Sequence, residues 1–219
     1  MKKDEFLDIA KRLATETPTR YELGGVGQTV DDNFIFDCIG LIKSILWGFN
    51  FDHNAYRGGA IYESNGVPDW GANKFFNECC YDISTNMSTT EIGELVWLDG
   101  HIGIYIGNLN VIEATSDWDN DVLISHMDYD GNRSYNYSNI LRWQKHGKCK
   151  FIDYLNPSYK YKIGDNVVLN GWLHKTRNSE ECIGEFHDYV WTITNIVNGE
   201  YPYELNSIGY CREKYLNNL

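Results

Sequence analysis

The sequence predicts an α+β fold, with helices first, antiparallel strands next, and a small all-β unit at the C-terminal end. Apolar residues recur at helical spacing along residues 3–14, whereas residues 101–106 alternate strictly between isoleucine and other side chains, which is the period of a strand. After residue 156, short apolar runs are separated by Gly, Asn and Pro, a pattern typical of a small barrel. The chain is therefore predicted to form two domains, 1–155 and 156–219.

Composition argues against several classes of protein. The chain has 219 residues, a formal net charge of −12, and 15% aromatic residues. A general nucleic-acid binder would carry a basic surface, so this acidic chain is not expected to bind nucleic acid. No apolar run approaches the ~20 residues that a membrane span needs, so no membrane insertion is expected. The first 16 residues contain no uninterrupted apolar stretch, so no secretory signal peptide is predicted.

Two helices are predicted before the sheet. The first covers residues 3–14 and ends before Pro18, because the residue that precedes a proline avoids helical backbone. Residues 21–32 contain three glycines and are predicted as a loop. A largely buried second helix begins at Cys38 and ends at Gly48.

A long loop, residues 50–72, and a third helix over residues 73–81 precede a meander of strands. The loop is rich in Gly, Asn and Asp, and long ordered loops often bind ligands. Residues 128–139 are polar and are predicted as a second loop. Asn156-Pro157-Ser158 is the predicted linker between the domains. The predicted strands of the meander are 94–98, 101–106, 111–115 and 122–127, and the apolar runs after the linker are 166–169, 189–196 and 208–211.

One cysteine lies in a context that favours chemistry. Cys38 follows Asp37 and opens a helix, and the positive end of a helix dipole favours a thiolate. A thiol nucleophile also needs a base, and His101 begins a strand beside a turn, with Glu113 on the next strand. In a flat hairpin Glu113 would lie opposite Tyr105, about 13 Å along the strand from His101, so a twist, bulge or bend is needed to join them. From spacing alone, a buried core cysteine and a structural histidine remain the alternatives.

The other cysteines give no sign of a metal centre. The chain shows neither a CxxC pair nor a Cys/His cluster with zinc spacing, so no metal and no cofactor are expected. Cys79 and Cys80 are neighbours in sequence and do not easily bridge to each other. Without a signal peptide, a disulfide framework is not expected either. Most of these cysteines are predicted to be small buried hydrophobic residues.

Four segments, taken in order, resemble the NlpC/P60 family of cell-wall cysteine peptidases, and more narrowly the endolysins of prophages from Gram-positive bacteria. The resemblance covers about residues 5–150. It implies a papain-like fold, in which a cysteine at a helix N-terminus packs against an antiparallel sheet that bears the histidine. It also implies that the partner is bacterial peptidoglycan and that the bond cut lies in the stem peptide, often between γ-D-glutamate and a diamino acid. The segments are RYELGG at 20–25, FDCIGLI at 36–42, GELVWLDGHIGIYIG at 93–107 and VIEAT at 111–115.

The resemblance implies a role for five residues. Cys38 matches the nucleophile, His101 the general base, and Glu113 the third polar position that orients the imidazole. Tyr21 matches a tyrosine whose hydroxyl lies near the nucleophile and helps to meet the oxyanion. Asp37 matches an acid that in some members helps to read the amino end of the stem peptide, and a plain helix N-cap is the alternative.

One departure from the family pattern leaves the scissile bond open. Many members have serine directly after the cysteine, whereas this chain has Ile39, which cannot donate a hydrogen bond to the glutamate carboxylate. The alternatives are an amidase that cuts between muramic acid and L-alanine with the same Cys/His site, and a catalytically inactive wall-binding protein. Lysins of this type wait in the cytosol until the membrane is breached, so a cytoplasmic location until release is expected. The oligomeric state is left open.

The C-terminal segment resembles the bacterial SH3-type modules that bind cell walls. The match is carried by YKIGDNVVLNGWLHKT at 161–176 and YPYELNSIGYCREKYL at 201–216. The resemblance implies an SH3-like wall-binding domain whose aromatic residues include ligand-binding side chains, although so small a barrel needs most of its aromatics in the core. The wall-binding candidates are Trp172, Trp191 and Tyr203.

Overall fold

The structure is a computed structural model that describes residues 1–55, 66–136, 138–154, 160–177, 181–197 and 200–219. The chain divides into two compact units, residues 1–155 and 156–219. The predicted linker at 156–158 and ten residues of the predicted loop at 50–72 lie outside the described residues. Within the described ranges, no helix combines the length and the apolar character that crossing a membrane requires.

The first helix, α1 (Lys3–Thr15), is formed as its apolar spacing predicts. It buries four apolar side chains in the core of the first unit. Its N-terminal end is fastened to the last residues of the unit, because the Met1 ammonium donates to the Phe151 carbonyl at 3.0 Å and the Lys3 amide donates to the Asp153 carbonyl at 3.1 Å. The buried side chains are Phe6, Leu7, Ala10 and Leu13.

A small three-stranded sheet replaces much of the loop predicted at 21–32. Its strands lie in the order β1-β3-β2, with β1 parallel and β2 antiparallel to β3. Asp31 and Asp32 both have positive φ, 48° and 62°, which is the backbone of a two-residue hairpin turn. Gly24 turns the chain before β2, and Gly27 lies at an irregularity inside β2, so the glycines of this segment do not prevent strands from forming. The strands are β1 (Thr19–Tyr21), β2 (Val26–Val30) and β3 (Asn33–Phe36).

The second helix, α2 (Cys38–Leu46), is buried along its whole length. Asp37 caps it by accepting a hydrogen bond from the Gly40 amide at 2.6 Å. The helix ends before Gly48, whose φ of 93° is left-handed. Gly40 packs directly on the preceding turn, since an added Cβ there would lie 1.8 Å from the carbonyl oxygen of Gly25.

The third helix, α3 (Ala72–Cys79), is shorter than the predicted 73–81. The chain changes to strand β4 (Cys80–Ser84) without a connecting turn, and β4 pairs with a strand near residue 149. Pairing with a strand distant in sequence overrides the local helical pattern at residues 80 and 81, which a sequence reading cannot detect.

The main sheet of the first unit has eight strands in the order β10-β9-β8-β7-β6-β5-β11-β4, all pairs antiparallel. The meander β5 to β8 follows the prediction closely. The polar segment 128–139, predicted as a loop, contains the short strand β9 and the start of β10. The bounds are β5 (Leu95–Leu98), β6 (His101–Gly107), β7 (Asn110–Thr115), β8 (Asp121–Met127), β9 (Arg133–Tyr135), β10 (Ser138–Ile140) and β11 (Lys145–Cys149).

A β-bulge interrupts the hairpin of β6 and β7. Gly107 pairs with Asn110 around a two-residue turn, whereas the next pair joins Tyr105 to Val111. Ile106 is therefore an extra residue in β6, and the pairing beyond it is shifted by one position.

The shifted register places Glu113 on the same face of the sheet as His101. Continuing from the pair Ile104–Ile112, Glu113 lies opposite Gly103, diagonally next to His101. The flat hairpin of the sequence analysis places Glu113 opposite Tyr105, two residues further from His101 than the observed position opposite Gly103. A two-residue turn without the bulge would have put Glu113 on the opposite face altogether.

The second unit is a small barrel in which β12, β13, β14 and β15 pair in a closed cycle and β16 adds to β12. Its core contains Trp191 and Tyr203, which are 8% and 0% exposed, whereas Trp172 is 42% exposed. Two of the three wall-binding candidates are therefore core residues, as the small size of the barrel requires. The bounds are β12 (Asn166–His174), β13 (Cys182–Ile196), β14 (Tyr203–Leu205), β15 (Gly209–Cys211) and β16 (Leu216–Asn218).

Candidate active site

Cys38 begins α2 and lies against the backbone that leads into β6. Its Sγ is 3.9 Å from the carbonyl oxygen of Gly100, the residue before His101. Burial and, after it, the Asp37 carboxylate raise the pKa of the Cys38 thiol, and nearby backbone N–H groups such as that of Ile102 lower it, so that the pKa lies at about 11. These surroundings favour a protonated thiol at rest, against the thiolate that the helix terminus alone predicts.

The turn beside the thiol is fixed by a residue that the sequence analysis missed. Asn73 on α3 accepts hydrogen bonds from the Gly100 amide at 2.7 Å and from the Trp97 indole at 3.0 Å, and it donates to Asp99 at 2.7 Å. These three bonds hold the Asp99-Gly100 turn, and with it the start of the strand that carries His101. No local motif marks Asn73 in the sequence.

His101 is oriented by Glu113. The His101 Nε2 lies 2.6 Å from Glu113 Oε2. Because a carboxylate only accepts, the Nε2–H donates, and Nδ1 is the nitrogen left with a lone pair for taking up a proton. The ring of Trp143 stacks on the imidazole at a centroid distance of 5.4 Å and an interplanar angle of 16°. This arrangement fixes both the tautomer and the plane of the ring.

Glu113 is fully buried and stays ionised through its hydrogen bonds. Besides His101, it accepts from Arg133 Nε at 3.0 and 2.9 Å and from the Ser125 hydroxyl. Burial by itself raises the pKa of this carboxyl, but the hydrogen bonds from His101 and Arg133 and the Arg133 charge outweigh it, so that the pKa lies below its ordinary value. A buried carboxylate at this place is therefore available to hold the imidazole at neutral pH.

Arg133 is the second residue of the site that the sequence analysis missed. It lies on β9, inside the segment predicted as polar loop, and is 1% exposed. Its guanidinium also pairs with Asp117 at 3.0 Å and approaches His101 Nε2 at 3.2 Å. The guanidinium carbon lies 4.6 Å from the ring centroid of Trp118 and 5.2 Å from that of Trp143. Two carboxylates and two aromatic faces thus surround a single buried cation.

Asp37 and Tyr21 flank the thiol in different ways. Both oxygens of Asp37 accept from the backbone, one from Gly40 at 2.6 Å and one from Gly24 at 2.8 Å. Asp37 is thus a helix cap that also fixes the preceding turn, which supports the N-cap alternative. Burial raises the pKa of Tyr21, and the charges of Cys38 and Asp37 raise it further. The Tyr21 phenol consequently remains a hydrogen-bond donor.

Ile39, the departure from the family pattern, is 4% exposed and belongs to the hydrophobic core. Within the described ranges, no group of three or more His, Cys, Asp or Glu side chains is arranged to hold a metal ion.

A buried cysteine at a helix N-terminus, beside a histidine that a carboxylate orients, is the arrangement of a thiol hydrolase. The profile of the NlpC/P60 family matches residues 18–139 of this chain, a span that includes Cys38, His101, Glu113 and Arg133. The chain therefore belongs to the NlpC/P60 family, whose members are generally cysteine peptidases that act on peptidoglycan.

Among solved structures, the chain is similar to the P60 domain of an antigen from M. avium subspecies paratuberculosis. The two are 16% identical, the match covers 69% of this chain and 96% of that domain, and the TM-score is 0.37. No curated protein matches the chain.

Proposed function

We propose that the protein is a thiol-dependent peptidoglycan hydrolase that cleaves stem-peptide bonds in bacterial cell walls, as a prophage endolysin does. The observation that carries the proposal is the oriented His101–Glu113 pair beside the buried thiol of Cys38, in a chain of the NlpC/P60 family. A wall-anchored protein that had lost catalysis would have no need to keep these three groups together.

The proposed reaction begins from a protonated thiol. His101 Nδ1 takes the thiol proton as Cys38 Sγ attacks the carbonyl carbon of the scissile amide. The Cys38 amide N–H and the Tyr21 hydroxyl meet the oxyanion of the tetrahedral intermediate. The intermediate collapses as His101 gives the proton to the leaving amine, which departs and leaves a thioester. Water then attacks the thioester, its proton passing through His101 to the Cys38 sulfur, and the carboxylic acid is released.

The proposed bond is the one between γ-D-glutamate and a diamino acid, with the muramoyl–L-alanine amide as the alternative. Digestion of purified cell walls followed by mass spectrometry separates these outcomes. New amino groups on diamino acids support the endopeptidase, and free muramyl lactyl groups support the amidase. The control is the Cys38→Ala protein, which should release neither. If the unaltered protein also releases neither, the protein is a wall-binding protein without catalysis.

We infer that the second unit is an SH3-like wall-binding domain. Its closed four-strand pairing and the 42% exposure of Trp172 support this, since an exposed indole on a small barrel offers a flat surface to a sugar or peptide. A full chain carrying Trp172→Ala should sediment less with purified walls. Unchanged sedimentation would remove Trp172 from the ligand surface.

A further inference from the structure

Two cysteines outside the candidate active site lie directly opposite each other in the main sheet. Cys80 begins the edge strand β4, Cys149 ends β11, and the two are register partners. The Lys150 amide donates to the Cys79 carbonyl at 2.9 Å, which makes the pair between them a non-hydrogen-bonded one. In such pairs the Cα atoms are about 4.5 Å apart and the side chains are at their closest. That spacing falls within the range a disulfide spans.

The two thiols differ in their exposure to solvent. Both are free thiols, Cys149 is 0% exposed, and Cys80 is partly exposed on the edge strand. After burial, the charge of Cys149 is the next cause that raises the pKa of Cys80, which agrees with two sulfurs close together on one face. Cys80 is therefore the thiol nearer to solvent, and because burial raises its pKa well above the ordinary value, exchange should be slow at neutral pH and faster at alkaline pH.

We propose that Cys80 and Cys149 are a site of oxidative cross-linking, which closes on exchange with a disulfide-bonded reagent such as oxidised glutathione. The Cys80 thiolate attacks one sulfur of the reagent, forms a mixed disulfide and releases one thiolate. The Cys149 thiolate then attacks the Cys80 sulfur, forms the Cys80–Cys149 bond and releases the second thiolate. The two protons lost by the cysteines end on the two released thiols, so the protein loses two hydrogens and the reagent is reduced to two thiols.

The cross-link would tie one edge strand of the sheet, β4, to its neighbour β11. Strand β4 presents Tyr81 and Ile83 at 45% and 43% exposure, and an edge of this kind invites pairing with other chains. The bond would close a loop of about 70 residues, which restricts the unfolded chain and stabilises the folded one. It would also anchor the end of α3, the helix on which Asn73 holds the turn before His101.

The experiment treats the full chain with oxidised glutathione, alkylates the remaining thiols, digests without reduction and maps the linked peptides by mass spectrometry. We expect a Cys80–Cys149 peptide, together with a rise in melting temperature of about 4 °C or more that dithiothreitol reverses. The Cys80→Ser chain should lose both effects, and the matched Cys79→Ser chain should keep both. The Cys38→Ala background removes reaction at the candidate nucleophile from the readout.

The map of the unaltered chain decides the proposal even if a variant fails to fold. A link between Cys79 and Cys149 in its place, or glutathione adducts without any internal link, would overturn the assignment. Because no step involves Cys38 or His101, neither result bears on the proposed hydrolase activity.

Discussion

Arg133 lies between two carboxylates, Glu113 and Asp117, with only 1% of its surface exposed. Burial alone would favour the neutral form of Glu113, and Arg133 is one of the two partners that reverse this. Since the folded-state pKa of Glu113 is lowered, its stabilising contribution is present above the ordinary value of 4.5 and is lost as the pH falls through the folded value.

Replacing Arg133 by methionine should raise the pKa of Glu113 and move the acid limb of the activity profile to higher pH. Breaking a buried pair by removing one partner typically costs about 3–5 kcal/mol, so the melting temperature should fall as well. The conservative Arg133→Lys should show a smaller shift of the acid limb and a smaller fall in melting temperature. Arg142→Met, at an exposed position, serves as the control. An activity profile that keeps its acid limb in Arg133→Met would mean that Arg133 only supports the fold.

The raised pKa of Cys38 gives a second prediction. Only the thiolate reacts with iodoacetamide, so the labelling rate of Cys38 should climb roughly tenfold per pH unit up to about pH 11. Peptide mapping after timed labelling measures this rate site by site. A rate that stays flat between pH 6 and 9 would instead indicate a resting thiolate–imidazolium pair with His101.

The bond between His101 and Glu113 predicts unequal effects of two substitutions. His101→Ala removes the proton acceptor and should slow turnover by ~10²–10⁴-fold. Glu113→Gln should slow it less, because the amide can still accept from Nε2–H, although it leaves the Arg133 charge with Asp117 alone. Steady-state rates on soluble muropeptides, compared at equal folded fraction by circular dichroism, test the order. Equal losses would give Glu113 a larger part than orienting the ring.

At the level of single residues, the sequence indicated the groups with recognisable neighbours. Cys38 lies at the start of a predicted helix, and His101 follows a turn at the start of a predicted strand. The local pattern and the family resemblance therefore both indicate these two residues. Arg133 and Asn73 have no such mark, because each acts on residues 16 or more positions away through contacts that exist only in the folded chain. The protonation state of Cys38 also depends on burial, which the helix terminus alone does not reveal.

Among the elements, α2 depends on close backbone contact with the turn before β2. Gly40→Ala would place a methyl group 1.8 Å from the Gly25 carbonyl oxygen, and backbone cannot give way as a side chain can. We expect a loss of about 3 kcal/mol or more, at the upper end of overpacking costs. The matched control is Gly71→Ala, where an added Cβ meets no atom within 4 Å. Urea denaturation of both proteins measures the difference, and equal midpoints would contradict the packing argument.

Strands were predictable where apolar side chains alternate along the sequence. They were unpredictable where only pairing with another strand of the sheet makes a segment a strand. The strictly alternating run at 101–106 is a strand as predicted, and its neighbours in the meander follow. Strand β4 continues a helix without a turn, and β9 lies in a polar segment, so neither carries a local signal. The bulge at Ile106 is likewise invisible in the sequence, although it determines which side chains share a face.

At the scale of the whole molecule, we expect the first unit to work alone on small substrates. A chain that ends at Leu155 keeps the contacts of α1 with Phe151 and Asp153, and the Tyr154 hydroxyl still donates to the Gly93 carbonyl at 2.9 Å. It should fold, cut soluble muropeptides and lyse intact walls poorly. The reason is that residues 1–155 have a net charge of 13 − 23 = −10, which offers no attraction to an anionic wall, so tethering by residues 156–219 is needed.

Measuring the activity of the shortened chain on both substrates distinguishes two roles for residues 156–219. They either target the enzyme to the wall or only support the fold of the first unit. Loss on walls alone supports targeting, whereas loss on both substrates refutes it. A shorter chain that ends at Lys150 is the negative control, since it lacks the residues that fasten α1 and should melt at a lower temperature. The isolated fragment 157–219 should sediment with walls, and added salt should not release it if stacking outweighs charge pairing.

The single extra residue in β6 affects which changes in length this hairpin can tolerate. Side chains alternate between faces with a period of two, so the face of Glu113 depends on which residue of β6 lies opposite Ile112. Deleting Ile106 would remove the bulge and leave Ile104 opposite Ile112, which keeps Glu113 on the face of His101. A one-residue change that shifts this pairing instead would turn the carboxylate to the other face. Grafts and length variants of this hairpin should therefore retain the His101–Glu113 pair only where Ile104 stays paired with Ile112.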